Sequence, residues 1–191
     1  MIKAAAEDKP LILDILSKSF DNNRSVNYII KNGHYQKKSI HALMEYSFEI
    51  CSLFGEIFLS DDRSACALIL YPHQKSTSLK TIWLDIRLIF KAVGLNGIAK
   101  VLNRETQIKK IQPKVDMAYL WFIGVDPVKQ HRGTGSKLLS EIIAYTTGKY
   151  LPVYLETSTP ENLSWYKRFG FEIYDRLLLG YTLFFFRRNP N

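Results

Sequence analysis

Gln130-His131-Arg132-Gly133-Thr134-Gly135-Ser136 is the stretch that decides how this 191-residue chain is read. Before it, residues 119–125 run Tyr-Leu-Trp-Phe-Ile-Gly-Val, an apolar strand closed by Asp126-Pro127. After it, Leu138, Leu139, Ile142 and Ile143 recur at helical spacing over 135–147. Strand, tight turn and helix is the geometry in which successive backbone N–H groups converge on an anion, with the positive end of the helix dipole behind them. Glycines at 133 and 135 keep side chains out of that space, and Lys129, Arg132 and Lys137 put cationic charge nearby. The turn lacks the Gly-Lys-Ser/Thr ending of a nucleoside-triphosphate loop. It also lacks the Gly-x-Gly-x-x-Gly dinucleotide pattern and its acidic partner about 20 residues on. Alone, the turn is either an anion cradle or a glycine turn closing a strand–helix unit.

Downstream, 153–156 reads as a strand, and Thr159-Pro160 opens a short helix ending at Gly170, with threonine at the N-cap and proline at the first helical position. Asn162 and Tyr166 lie four residues apart and so share one face of that helix. Tyr166 with Leu163 and Phe169 reads as core, whereas an asparagine on the same face is hard to explain by packing. Residues 171–176 and 182–187 read as final strands. Leu183-Phe184-Phe185-Phe186 is open between a core strand and a contact with another subunit.

Upstream, Asp8 before Lys9-Pro10 predicts an N-cap for a helix to about Ser19, followed by a short helical piece near 26–30. Ile40, Leu43, Met44, Ser47, Phe48 and Cys51 form the stripe of a further helix closed by Gly55. Residues 57–59 and 65–71 read as strands joined through Ser60-Asp61-Asp62-Arg63. Leu79, Ile82, Trp83, Ile86, Ile89, Phe90 and Val93 then hold an i, i+3, i+4, i+7 pattern, with Lys80, Arg87 and Lys91 off the stripe. This predicts an amphipathic helix with its apolar side inward and a basic outer face, interrupted at Gly94 and Gly97 before a second helix over 98–108.

Length and composition bound the answer to one domain over residues 1–191, with 47% hydrophobic and 23% charged residues as in globular proteins. No run approaches the ~20 apolar residues of a membrane span, so no membrane partner is expected. The N-terminal residues read as no signal region, and Cys51 and Cys66 match no disulfide framework or zinc spacing. A reduced, cytoplasmic, metal-free protein is expected. The net charge of +8 is concentrated: residues 79–115 carry eight basic residues against Asp85 and Glu105. That patch suits nucleic acid, a membrane surface, a phosphate-rich small ligand or an acidic partner, or is a solvated helix face. It lacks a nucleic-acid recognition motif, and no nucleic-acid partner is expected.

Gln130-x-x-Gly133-x-Gly135 followed by Asn162-x-x-x-Tyr166-x-x-x-Gly170-Phe171 resembles the coenzyme A signature of the GNAT superfamily of N-acyltransferases. Leu155-Glu156-Thr157-Ser158-x-Pro160-x-Asn162-Leu163-x-x-Tyr166 is closer still to the branch containing puromycin N-acetyltransferase. The likeness is good over residues 112–190 and loose before them. It implies an α/β (α+β) fold: a mixed, mostly antiparallel sheet flanked by helices, with a helical insertion between the third and fourth strands, and fourth and fifth strands splayed around pantetheine. By position, it implies that Ile123 and Val125 offer backbone hydrogen bonds to pantetheine. Gln130, His131, Arg132, Gly133, Thr134, Gly135 and Ser136 would form the pyrophosphate loop. Asn162 would contact the coenzyme, and Tyr166 would face the thioester sulfur as general acid.

The implied activity is transfer of an acetyl group from acetyl-CoA, as co-substrate, to a small primary amine, with segment 79–111 walling the acceptor site. A peptide or protein amine and a non-catalytic acyl-CoA sensor are the alternatives. The proton acceptor is less plain. Residues 119–125 hold no Asp, Glu or His, and Met117 or Ala118 stands where branch members often carry a histidine. Glu156 is the first candidate base and Tyr119 the second, directly or through water. Trp165 departs from the branch's smaller aromatic, so a puromycin-like acceptor does not follow from the resemblance.

Overall fold

The computed structural model describes residues 1–190. The chain opens with β1 (Ile2–Lys3), α1 (Lys9–Ser19), α2 (Arg24–Ile29), α3 (Gln36–Phe54), β2 (Gly55–Leu59) and β3 (Ala65–Leu70). Then come α4 (Leu79–Leu88), a π-helical turn (Ile89–Val93), α5 (Ile98–Ile111) and β4 (Ala118–Val125). The last part is α6 (Thr134–Gly148), β5 (Val153–Thr157), α7 (Glu161–Arg168), β6 (Glu172–Leu178) and β7 (Thr182–Arg188). The strands form one sheet in the order β1-β2-β3-β4-β5-β7-β6, antiparallel except for β4 against β5. The mixed sheet and the α4–α5 insertion between β3 and β4 are those expected from the sequence.

Period-2 alternation along β3 sorts the core. Cys66, Leu68 and Leu70 pack with α1 and α3, while Ala65, Ala67 and Ile69 pack with Leu138, Leu139 and Ile142 of α6. On β4 the alternation breaks. Leu68 pairs with Phe122 and Ile69 with Leu120, so Trp121 is a bulged residue, and Trp121 and Phe122 both lie on the α1–α3 side. Leu183, Phe185 and Phe186 are buried, so their strand is core. Cys51 and Cys66 are free and fully buried; burial pushes both thiols up, as suits inert core groups.

Three expectations are corrected. α7 begins at Glu161 with Pro160, not Thr159, at its N-cap. Asp8 stands at the N-cap position of α1 with Pro10 in the first turn, but its side chain makes no capping hydrogen bond to that helix, since it ends a preceding 3₁₀ turn with helical backbone angles. Its carboxylate turns back to accept from the Ala5 amide (2.8 Å) and pairs with Arg63. Along α4 the apolar stripe faces outward, with Leu79, Ile82, Trp83 and Ile86 exposed and Phe90 beyond them, whereas Val93 at its end is buried as expected; Thr81, Leu84 and Ala92, off the stripe, are buried too. Polar pairs with α3 fix this rotation, namely Arg87–Glu45 (2.6 Å), Tyr46–Asp85 (2.7 Å) and the looser Lys80–Glu49 (3.7 Å). Periodicity identifies a helix, but not which side its neighbour will hold.

Candidate active site

Parallel β4 and β5 pair only at Ala118–Val153 and Tyr119–Tyr154. Beyond those residues the strands have no mutual pairing. A cavity of ≈ 930 Å³ is lined there by residues 119–125 of β4 and by Glu156 and Thr157 of β5. One end meets the start of α6. The other is walled by α4, the π-helical turn and α5 through Asp85, Leu88, Ile89, Val93, Val101 and Ile108.

At the α6 end, Gly133 occupies the N-cap with φ +83°, a left-handed conformation that glycine adopts without strain. Gly135 serves a different purpose: a Cβ there would lie 3.0 Å from Val125 Cγ2, a contact tight enough that the valine side chain would have to give for the helix to start so close to β4. His131 is left-handed too, at φ +62°. Gln130, His131, Gly133, Thr134, Gly135 and Ser136 all line the cavity, as do Ile123 and Val125. Arg132 is exposed and is not among the lining residues. Lys137 turns away to Asp61 (2.7 Å) and Glu141 (3.9 Å), which leaves Lys129 as the lysine of this loop on the cavity. The Val125 carbonyl already accepts from Ser19 Oγ (2.7 Å) and Gln130 Nε2 (3.3 Å), so a further donor there would share it.

Asn162 and Tyr166 line the cavity from α7, one turn apart. The Tyr166 ring is buried against Trp165, Phe171 and Phe186, with centroids 4.8, 5.7 and 5.5 Å away. Its hydroxyl has no hydrogen-bond partner among the described residues, and burial holds its pKa above the usual phenol value, so it stays protonated at neutral pH. Trp165 Nε1 donates to Ser136 Oγ (2.9 Å), tying α7 to the first turn of α6.

The Glu156 carboxylate accepts from Gln112 Nε2 (2.8 Å) and from the Tyr119 hydroxyl. Burial raises its pKa, opposed by those two hydrogen bonds and by the charge of Arg104. Tyr119 is raised well above the usual phenol value by burial and then by the adjoining carboxylate. The tyrosine therefore keeps its proton and the glutamate is the group able to accept one. Gln112 has no signal in the sequence; it follows α5 in extended conformation and reaches Glu156 across 44 positions. Arg104 is likewise illegible beforehand: nearly buried, it donates to Glu105, Ser25 and the Tyr181 hydroxyl and pins α5 to the end of the sheet. Among the described residues no cluster of His, Cys, Asp and Glu is arranged to hold a metal ion.

Residues 90–173 match the acetyltransferase (GNAT) domain family. A protein of Corynebacterium glutamicum described as histone acetyltransferase HPA2 and related acetyltransferase superposes with a TM-score of 0.73 at 21% identity, covering 100% of this chain and 95% of the other. Arylalkylamine N-acetyltransferase 2 of Aedes aegypti gives 0.68 at 13% identity, covering 100% and 98%. The ribosomal-protein-S18-alanine N-acetyltransferase of Escherichia coli gives 0.53 at 15%, covering 98% and 91%. The chain has the GNAT fold, and the stretch that matches the family runs from the π-helical turn to β6.

Proposed function

We propose that this protein is an acetyl-CoA-dependent N-acetyltransferase acting on a primary amine of a small molecule by direct attack in a ternary complex. The observation that carries the reading is the convergence, on one cavity, of the parted strands, the α6 amides, Asn162–Tyr166 and the Glu156–Tyr119 pair. The α6 N-terminus suits a pyrophosphate through backbone amides, since Lys137 is occupied elsewhere. The motif over residues 155–171 supports the branch containing puromycin N-acetyltransferase, though not its acceptor.

An alkyl ammonium titrates near ~10.4 and must lose a proton before its nitrogen can attack. Glu156, with its raised pKa, accepts that proton directly or through a water. The amine lone pair forms the C–N bond at the thioester carbonyl, and a β4 backbone N–H steadies the oxyanion. The C–S bond then breaks, the Tyr166 hydroxyl protonates the departing sulfur, and the second proton shed by the attacking nitrogen as the amide forms restores the phenol through solvent in the cavity. The wall contributed by Leu88, Ile89, Val93, Val101 and Ile108 supports an acceptor with an apolar body.

Calorimetry with acetyl-CoA and a thiol-release screen over small amines and peptides test the reading. Tyr166→Phe should bind acetyl-CoA normally and turn over about 10²-fold more slowly. Absence of acetyl-CoA binding, turnover confined to peptides, or full activity of Tyr166→Phe would overturn it.

A further inference from the structure

The α4 segment has two apolar sides. One lines the cavity; the other holds Leu79, Ile82, Trp83, Ile86 and Phe90, exposed by 88, 45, 56, 48 and 62%, with Leu95 beyond them at 67%. The row extends about 17 Å along the helix at ~1.5 Å per residue. A contiguous exposed apolar row of this kind marks an interaction surface.

The charge beside it says which kind. Residues 22–44 and 86–104 together contain eight Lys and Arg and no Asp or Glu. The two stretches meet at the end of the row: Lys31 N donates to Ala92 O (2.7 Å), Lys31 Nζ to Phe90 O (2.6 Å) and Ser39 Oγ to Lys91 O (3.5 Å). Arg87 and Arg104 are spent on Glu45 and Glu105, and the Lys100 ammonium sits 3.7 Å from the Tyr28 ring centre. Lys31, Lys37, Lys38 and Lys91 have no carboxylate within 4.0 Å among the described residues. A row of aromatic and aliphatic side chains beside an acid-free lysine cluster is complementary to a surface that is apolar below and anionic above.

We propose that this face attaches the protein peripherally to anionic lipid bilayers. Trp83, Phe90 and their aliphatic neighbours enter the boundary between headgroups and acyl chains, and Lys31, Lys37, Lys38 and Lys91 lie over the acidic headgroups. No helix among the described residues is long and apolar enough to cross a membrane, so the contact is at the surface. A nucleic acid would leave the apolar row wet. The proposal is independent of the activity assigned to the cavity.

The test is co-sedimentation of the whole chain with vesicles of phosphatidylcholine alone or equimolar with phosphatidylglycerol. Binding should favour the anionic vesicles at least tenfold and weaken as salt rises. Trp83→Ser/Phe90→Ser and, separately, Lys37→Glu/Lys38→Glu/Lys91→Glu should each lose roughly tenfold or more in affinity. All these side chains are exposed, and circular dichroism checks that both variants remain folded. Equal binding to neutral vesicles, undiminished binding of the Trp83/Phe90 variant, or equally tight binding to polyglutamate or duplex DNA overturns the proposal. So does light scattering that shows a dimer which the Trp83/Phe90 variant dissolves.

Discussion

Glu56 and Glu156 are the same side chain, both withdrawn from water, on opposite faces of one sheet. Glu56 projects toward α6 and accepts from the Tyr145 and Tyr71 hydroxyls and from Lys149 Nζ (2.9 Å) and Lys3 Nζ (3.2 Å). Burial alone would raise its pKa, but four donors, two of them charged, bring it down to about 2. Glu156 has two neutral donors and no cation within salt-bridge distance among the described residues, and there burial wins. The difference lies in the number of donors: the Tyr145 and Tyr71 hydroxyls lower Glu56 most, and the two ammonium groups add to them. One glutamate is a fastener, and the other keeps an appetite for protons at the edge of a cavity.

Removing each charge should separate the two roles. The largest effect is expected from Glu156→Gln, which should slow turnover by about 10²–10⁴-fold if the carboxylate takes the amine proton. Thermal stability should stay level or rise, since a raised folded pKa means that ionising the group costs stability as pH climbs through it. Glu56→Gln should do the reverse. Turnover stays within about twofold, while the loss of charged hydrogen bonds costs about 2 kcal/mol, or about 4–8 °C in melting temperature by calorimetry.

The pH dependence follows the same split. For Glu56, with its lowered pKa, stability is fully present above the ordinary glutamate range and drains away as pH falls toward about 2. Acid titration of Glu56→Gln followed by circular dichroism should lack that component. For Glu156 the acid limb of kcat/KM should lie above the ordinary carboxylate range. Gln112→Ala, by deleting a donor to the charged form, should move that limb further up with a smaller loss of maximal rate. An unmoved limb would remove Glu156 from the role of base.

The residues near β4 and α6 were legible because short-range rules govern them. Gly133 and Gly135 meet local demands of φ and close approach, and the Asn162–Tyr166 spacing places both on one helical face. The partners of Glu156 were not legible. Gln112 and Tyr119 arrive from 44 and 37 positions away, brought by strand pairing and the end of α5, and no periodicity encodes that meeting. Apolar spacing finds α4, but its rotation depends on α3, into whose core Leu84 and Ala92 pack and whose Glu45 and Tyr46 hold Arg87 and Asp85, so the stripe lies outside from Leu79 to Ile86 and inside at Val93. The parity switch at Trp121 was equally hidden, because a bulge is a property of two strands in register.

The two-pair seam between β4 and β5 leaves the sheet as two leaves, β1–β4 and β5-β7-β6, with little backbone stitching between them. Whatever wedges into the gap and hydrogen-bonds to both edges becomes the missing stitch. An occupant of that cleft is then part of the architecture, seen as a rise in melting temperature with its concentration and as slower amide exchange along the free edges of both strands.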